Sequence, residues 1–314
     1  MNTVEPIRPA DEVTSRSSHA ATRAYLLLAF TMAGWAGNVV AARLAVGEVS
    51  PMVIISVRWA IVASCLAAIT SRQLVASLPQ LKRDWKRILV MGACGFSAFN
   101  ALFYVAAHYT TGLNIAILQG TVPIFVVLGA AALHRVRIGA IEMLGIAATL
   151  VGVAEIATAG RLATIAAFRF NLGDVLMLVA GLLSAGYTLA LARRPRVSNL
   201  MFFSALATMA FLTSLPLLGY EIATGTVEWP TLKGGAIILF IAIFPSFLSQ
   251  LGFMRAVQLI GPGRAGLFAN LVPVFGAFLA VIILGEPLAL YHVIGLCLVV
   301  GGIFAAETAG RARA

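Results

Sequence analysis

Acidic side chains are scarce in this sequence: twelve Asp and Glu stand in 314 residues. Charged residues of either sign make up 11%, against 61% hydrophobic. Soluble domains carry roughly a quarter of their residues as charges, so water is excluded as the solvent for most of this chain. Cysteine is nearly absent too. Cys65, Cys94 and Cys297 each fall inside an apolar run, which excludes a disulfide framework. The four histidines are scattered, with no Cys or carboxylate at ligand spacing, so no metal site is read. A phosphate-cradling loop is missing, and no Ser, His and Asp converge in the manner of a nucleophile elbow. Nothing here calls for an enzyme, a cofactor or an ATP-driven cycle.

What is present is hydrocarbon. Apolar stretches of about 20 residues recur along the chain, each long enough to cross a ~30 Å bilayer core as a helix. Ten spans are expected, near 24–42, 52–70, 88–107, 113–133, 139–158, 173–192, 200–219, 234–254, 264–284 and 289–306. In lipid every backbone N–H and C=O needs an internal partner, and these runs lack strand-like alternation, so the expected class is an all-α polytopic membrane protein. The first run is long enough to span and lacks a small-residue cleavage site, so it is read as a span and not a signal peptide.

The net charge of +10 follows the membrane and does not form a basic nucleic-acid-binding domain. With the N-terminus in the cytoplasm, seventeen of the 22 Lys and Arg lie on the inner side. Only Arg43, Arg161, Arg169 and Lys233 lie outside, and Arg58 is inside a span. That bias places both termini in the cytoplasm of a bacterial inner membrane.

The chain also repeats itself. LQGTVPIFVVLGAAAL around Pro123 and FANLVPVFGAFLAVIIL around Pro273 match at an offset of 150 residues, as do Phe125 and Phe275, Gly145 and Gly295, and Gly152 and Gly302. Two five-span units follow, 23–158 and 171–307, joined by an outer linker at 159–170. Residues 1–22 are read as a disordered cytoplasmic tail and 308–314 as a cytoplasmic C-terminal tail. Five is odd, so the second unit is inverted. The loops agree: His134-Arg135-Val136-Arg137 follows the first proline helix, and Gly285-Glu286-Pro287 follows the second. Inverted repeats place a transporter's site near the midplane, between the units.

Several residues make the chain resemble the ten-span, EamA-type branch of the drug/metabolite transporter superfamily. They are Trp35-Ala36-Gly37-Asn38, Pro51 with Arg58, Pro123, Leu271-Val272-Pro273-Val274 and Leu284-Gly285-Glu286-Pro287. The resemblance implies ten helices around a central cavity and export of amino acids, other metabolites or toxic organic compounds. The first span holds no carboxylate, which argues against the small multidrug exporter mechanism, where a buried glutamate exchanges protons for cationic drugs. The expected function is a secondary transporter exporting small organic metabolites such as amino acids by alternating access. The alternatives are uptake or exchange of sugar phosphates or nucleotide sugars, and a non-transporting sensor or scaffold. Expected partners are lipid and a small-molecule substrate, with no nucleic acid, and a monomer is compatible with this reading.

Pro123 and Pro273 are candidate hinges, since proline deletes one helical N–H bond and crowds the carbonyl four residues earlier; the alternative is a tolerated kink. Polar groups at depth must face inward. Asn38, Asn100 and Gln119 of the first unit correspond to Tyr187, Gln250 and Asn270 of the second, giving two collars that either hold substrate or tie helices together. Ser184 sits on the same span as Tyr187. Trp35, Tyr104, Tyr187 and Phe268 offer flat walls to a solute or packing to neighbours. Arg58 is expected to find a partner in the same leaflet, with Glu155 the best acidic candidate; the other reading is that it binds a substrate carboxylate.

Overall fold

The computed structural model describes residues 10–134, 139–157, 160, 171–260, 268 and 271–311, and its regular elements are all helical. Seven helices are long and apolar enough to cross a membrane, and three more are apolar over 10–17 residues. In chain order, α1 is Ala10–Leu44, α2 Pro51–Arg83 and α3 Trp85–Ala106. Next, α4 comes in two pieces, Gly112–Gln119 and Val122–His134, followed by α5, Ala140–Ala157. In the second half α6 is Leu172–Ala190, α7 Asn199–Ala223 and α8 Leu232–Ile260. The last two are α9, Leu271–Leu284, and α10, Leu290–Arg311. The stretch expected as a disordered tail thus carries helix from Ala10 onward.

Local chemistry explains the ends. Thr111, Asn171, Ser198 and Thr231 cap α4, α6, α7 and α8 by accepting a backbone N–H on their side-chain oxygens. Pro51 opens α2, where its missing N–H costs nothing. Gly47, Gly225 and Gly285 take positive φ just past α1, α7 and α9. Leu26, Leu133, Leu144, Ile282 and Phe304 remain exposed on the outside, the surface that lipid tails require.

The packing maps onto itself when each helix is exchanged for the one five places along. Helix α1 packs on α8 and α9, and α6 packs on α3 and α4; α2 pairs with α7, α4 with α9 and α5 with α10. Cross-loop bonds show which ends share a face. Ser50 N–H donates to the Glu228 carbonyl and Thr231 N–H to the Glu48 carbonyl, both at 3.0 Å. Thr110 Oγ1 donates to Asp174, at the start of α6, at 2.6 Å. Arg43, near the end of α1, donates to the Ala107 carbonyl close to Thr110, so the C-terminal end of α1 and the N-terminal end of α6 share a face. On the opposite face Arg87 Nη1 donates to the Arg193 carbonyl at 2.8 Å, joining the α2–α3 and α6–α7 connections.

Helices α5 and α10 cross through the glycines that repeat in the sequence. A Cβ on Gly152 would lie 2.8 Å from the Gly295 carbonyl oxygen, and one on Gly302 would lie 2.4 Å from that of Gly145. Only glycine permits this approach. Gly152→Val and Gly302→Val should each lower thermal stability in detergent, by about 1–3 kcal/mol as overpacked sites do. Gly301→Ala, with open space at its Cβ, should not. Equal melting temperatures for all three would refute the assignment.

Candidate functional site

A guanidinium organises the interior. Arg58 on α2 is only 6% exposed. Its Nε donates to Ser246 Oγ at 2.5 Å, and its Nη1 donates to Asn100 Oδ1 and Tyr104 Oη, each at 2.7 Å. The guanidinium carbon lies 4.8 Å from the Trp59 ring centroid, a cation–π contact. Tyr104 passes the chain of bonds to Asn38 Oδ1 at 2.9 Å, and Asn100 donates its amide to the Phe96 carbonyl. One side chain thus ties α1, α2, α3 and α8 together. The acceptors are neutral oxygens, not the carboxylate expected from Glu155. That residue stands beside Gly160 at the end of α5.

Two π-helical turns shape the same region, Ala93–Ala98 in α3 and Ala242–Leu248 in α8. They occupy equivalent positions in the two halves, and such turns gather at functional sites because they re-aim side chains and loosen the helical ladder. In α8 the cause is Pro245, which has no N–H to donate; its own carbonyl accepts from Trp35 Nε1 at 3.1 Å. In α3 the counterpart is Gly95, where a Cβ would lie 2.5 Å from the Tyr187 ring.

Between these elements lies a cavity of about 560 Å³, within the size range of sites for small organic molecules. Of the side chains singled out from sequence, Trp35, Asn38, Asn100, Gln119, Ser184, Tyr187, Gln250, Pro123, Pro273 and Arg58 line it. Tyr104 does not; it is buried behind the wall, bonded to Arg58 and Asn38. Phe268 is also away from the lining, stacked on Tyr25 with centroids 5.5 Å apart. Asn270 lies outside the described residues. Trp59, Phe96 and Ser246 also line the cavity; the sequence signals next to them are Arg58, which precedes Trp59, and Pro245, a proline inside a span that precedes Ser246.

The proline helices meet at the cavity. Helix α4 breaks at Gly120 and Thr121, just before Pro123, and a Cβ on Gly120 would lie 3.2 Å from Pro273 Cγ. From there the lining follows α6 to Thr188 and Leu191, near the face that carries Arg87 and Arg193. On the other side it stops at Asn38, Arg58 and Asn100.

Beyond those residues the opposite face is clasped. Glu286 Oε1 and Oε2 accept the first N–H groups of α4, from Gly112 at 2.8 Å and Leu113 at 2.7 Å. This is a carboxylate at a helix N-terminus, where the dipole favours it. Arg43 lies 3.7 Å from Glu286 and also donates to the Ala107 carbonyl. Asp174 accepts from Thr110 and from Asn114 Nδ2 at 3.3 Å, and Ser50 Oγ donates to Glu221 at 2.6 Å. Lys233 lies 3.0 Å from Glu48, whose carboxyl is held below the ordinary carboxylate range by the Thr231 hydroxyl and then by that ammonium. This last contact stays intact above the usual glutamate range and is lost only as the pH falls through the lowered value.

Two stretches of the chain, 22–158 and 171–307, match the EamA-like transporter family. The chain belongs to that family. Among relatives of this EamA-like transporter, the uncharacterized transporter YetK of Bacillus subtilis is 28% identical over 283 residues, covering 90% of this chain and 86% of its own. A probable terminal-alkyne amino-acid exporter of Streptantibioticus cattleyicolor is 27% identical over 261 residues, covering 80% of this chain and 83% of its own. A solved crystal structure shares the fold at a TM-score of 0.62 and 17% identity, over 93% of this chain and 99% of that one. The EamA-like transporter is therefore a multi-pass membrane protein of a transporter family.

Glu286→Gln should weaken the clasp, since a neutral amide cannot accept both N–H groups of α4 or attract Arg43. In a cysteine-free background carrying Asn38→Cys, labelling by a membrane-impermeant maleimide from the clasped side should rise about tenfold, equivalent to about 1.4 kcal/mol. Unchanged labelling would show that Glu286 does not hold this face shut.

Proposed function

We propose that this protein is a secondary transporter that exports small organic metabolites, such as amino acids, by alternating access about the midplane cavity. The observation that carries the reading is the cavity's one-sidedness: it lies between equivalent helices, sealed by bonded loops on one face and reaching the other along α6. The basic face is cytoplasmic under the positive-inside rule, which puts both termini inside a bacterial plasma membrane and makes this the inward-open form.

Ten spans in two inverted five-helix repeats supply the motion. Supporting this are the packing that survives exchange of the halves, the paired π turns, and the bonds that put the end of α1, through Arg43, and the start of α6, through Asp174, on one face with the α3–α4 connection. Inverted units have two related arrangements of one interface, so closing one face opens the other. Pro123 and Pro273 serve as hinges because each lies at the crossing of α4 and α9. The collar residues Asn38, Asn100, Gln119, Tyr187 and Gln250 meet the solute.

A sugar phosphate is disfavoured, since Arg58 is the one cation among the described lining residues and a phosphate would need more. A scaffold would have side chains in place of the cavity. The amino-acid exporter among the relatives agrees with the class of cargo.

Proteoliposomes loaded with labelled amino acids and other small metabolites test this, read as efflux with and without a proton gradient. At least one solute should leave faster than from empty-membrane controls. Pro273→Ala should slow that efflux about tenfold, or about 1.4 kcal/mol. Equal rates with and without protein across the whole panel would refute transport.

A further inference from the structure

Resting on the transporter reading, the geometry points to a cargo narrower than small metabolites in general: a monocarboxylate with an apolar or aromatic flank, whose carboxylate pairs with Arg58. Guanidinium has five N–H donors. The Nε–H and Nη1 are engaged by Ser246, Asn100 and Tyr104. The Nη2 nitrogen has no acceptor among the described residues, and Arg58 lines the cavity.

Charge makes the same point. A buried cation leaves water at a cost of several kcal/mol and normally recovers it from an anion. Here the partners are neutral, and none of the described residues lining the cavity is Asp or Glu. The site thus carries one uncompensated positive charge next to an empty volume of solute size, open to one face. A monocarboxylate supplies the missing charge and the missing acceptors together. A zwitterion brings an ammonium that finds no carboxylate there, and an organic cation meets repulsion alone. Trp35, Trp59, Phe96, Phe99, Tyr187 and Phe253 supply the apolar wall for the rest of the molecule.

Four probes share one phenyl group and differ in charge: 3-phenylpropionate, phenylalanine, phenethylamine and 3-phenylpropanol. Titrated calorimetrically into the full-length protein in nanodiscs, 3-phenylpropionate should bind at least about tenfold tighter than the other three. Arg58→Gln should abolish the preference. Because that variant removes three hydrogen bonds between helices and risks unfolding, Gln119→Glu provides the second arm. It leaves the Arg58 bonds in place and adds a carboxylate to the lining, so 3-phenylpropionate should weaken about tenfold and phenylalanine should gain.

Phenylalanine binding as tightly as 3-phenylpropionate overturns the inference, as does a preference that Gln119→Glu leaves unchanged or a failure of all four to bind. If excess chloride erases 3-phenylpropionate binding while binding alone with comparable heat, the site takes inorganic anions and the organic-acid assignment falls. Counterflow in proteoliposomes separates the two levels. Movement of phenylalanine but not 3-phenylpropionate sinks the inference and keeps the transporter. Binding of 3-phenylpropionate with no movement of any solute sinks the transporter and keeps the Arg58 assignment.

Discussion

Hydrocarbon cannot solvate a guanidinium, so the helices around Arg58 have to do so. Ser246, Asn100 and Tyr104 stand where the Nε and Nη1 protons point, Trp59 offers its ring face, and Asn38 accepts from Tyr104 in turn. These contributors come from four helices of both halves. Removing one partner of a buried charged hydrogen bond typically costs several kcal/mol, more than most apolar contacts in a bundle. The relative positions of α1, α2, α3 and α8 at mid-membrane therefore follow from satisfying one side chain. The Ser246 oxygen is placed by the π turn at Pro245, so a backbone irregularity in α8 is part of how a charge on α2 is held.

Around this centre the two halves are alike in backbone and unlike in chemistry. Small residues lie at the crossings: Gly152 and Gly302, which repeat at the 150-residue offset, between α5 and α10, and Gly120 and Gly276 between α4 and α9. In lipid no hydrophobic force draws helices together, and close approach through glycine raises the dispersion contact that does. The clasp breaks the likeness. Glu286 secures α4 on one face, and the residue 150 places earlier in the sequence is Val136, which has no carboxylate for the start of α9. A carboxylate accepting two N–H groups and lying 3.7 Å from Arg43 ties its face by charge-assisted bonds.

Much of this was legible before any coordinates. Hydropathy gave the apolar helices, because twenty consecutive apolar residues have few other uses. The 150-residue offset marked the glycines and prolines that meet at α5–α10 and α4–α9, since close backbone approach and a missing N–H each demand one residue type. The polar side chains at depth were recognisable as inward-facing, for lipid excludes them. Their partners were not. Arg58 was paired with Glu155 on leaflet alone, and Phe268 was assigned to a wall when it stacks on Tyr25, because depth along a helix says nothing of azimuth. The helix start at Ala10 was missed because polarity masks helix propensity in a sequence read for spans. The π turn at Gly95 left no mark, as glycine in a membrane helix has many ordinary uses.

From the sequence alone came the solvent, the class, the duplication and the charge bias, all of which depend on residue type and spacing along one dimension. Only the tertiary structure decided which oxygens surround Arg58, that no carboxylate of the described residues is among them, and which face of the cavity is closed. Those depend on how far each helix is turned about its own axis. That rotation is fixed by packing between helices far apart in the chain, and a linear pattern carries no record of it.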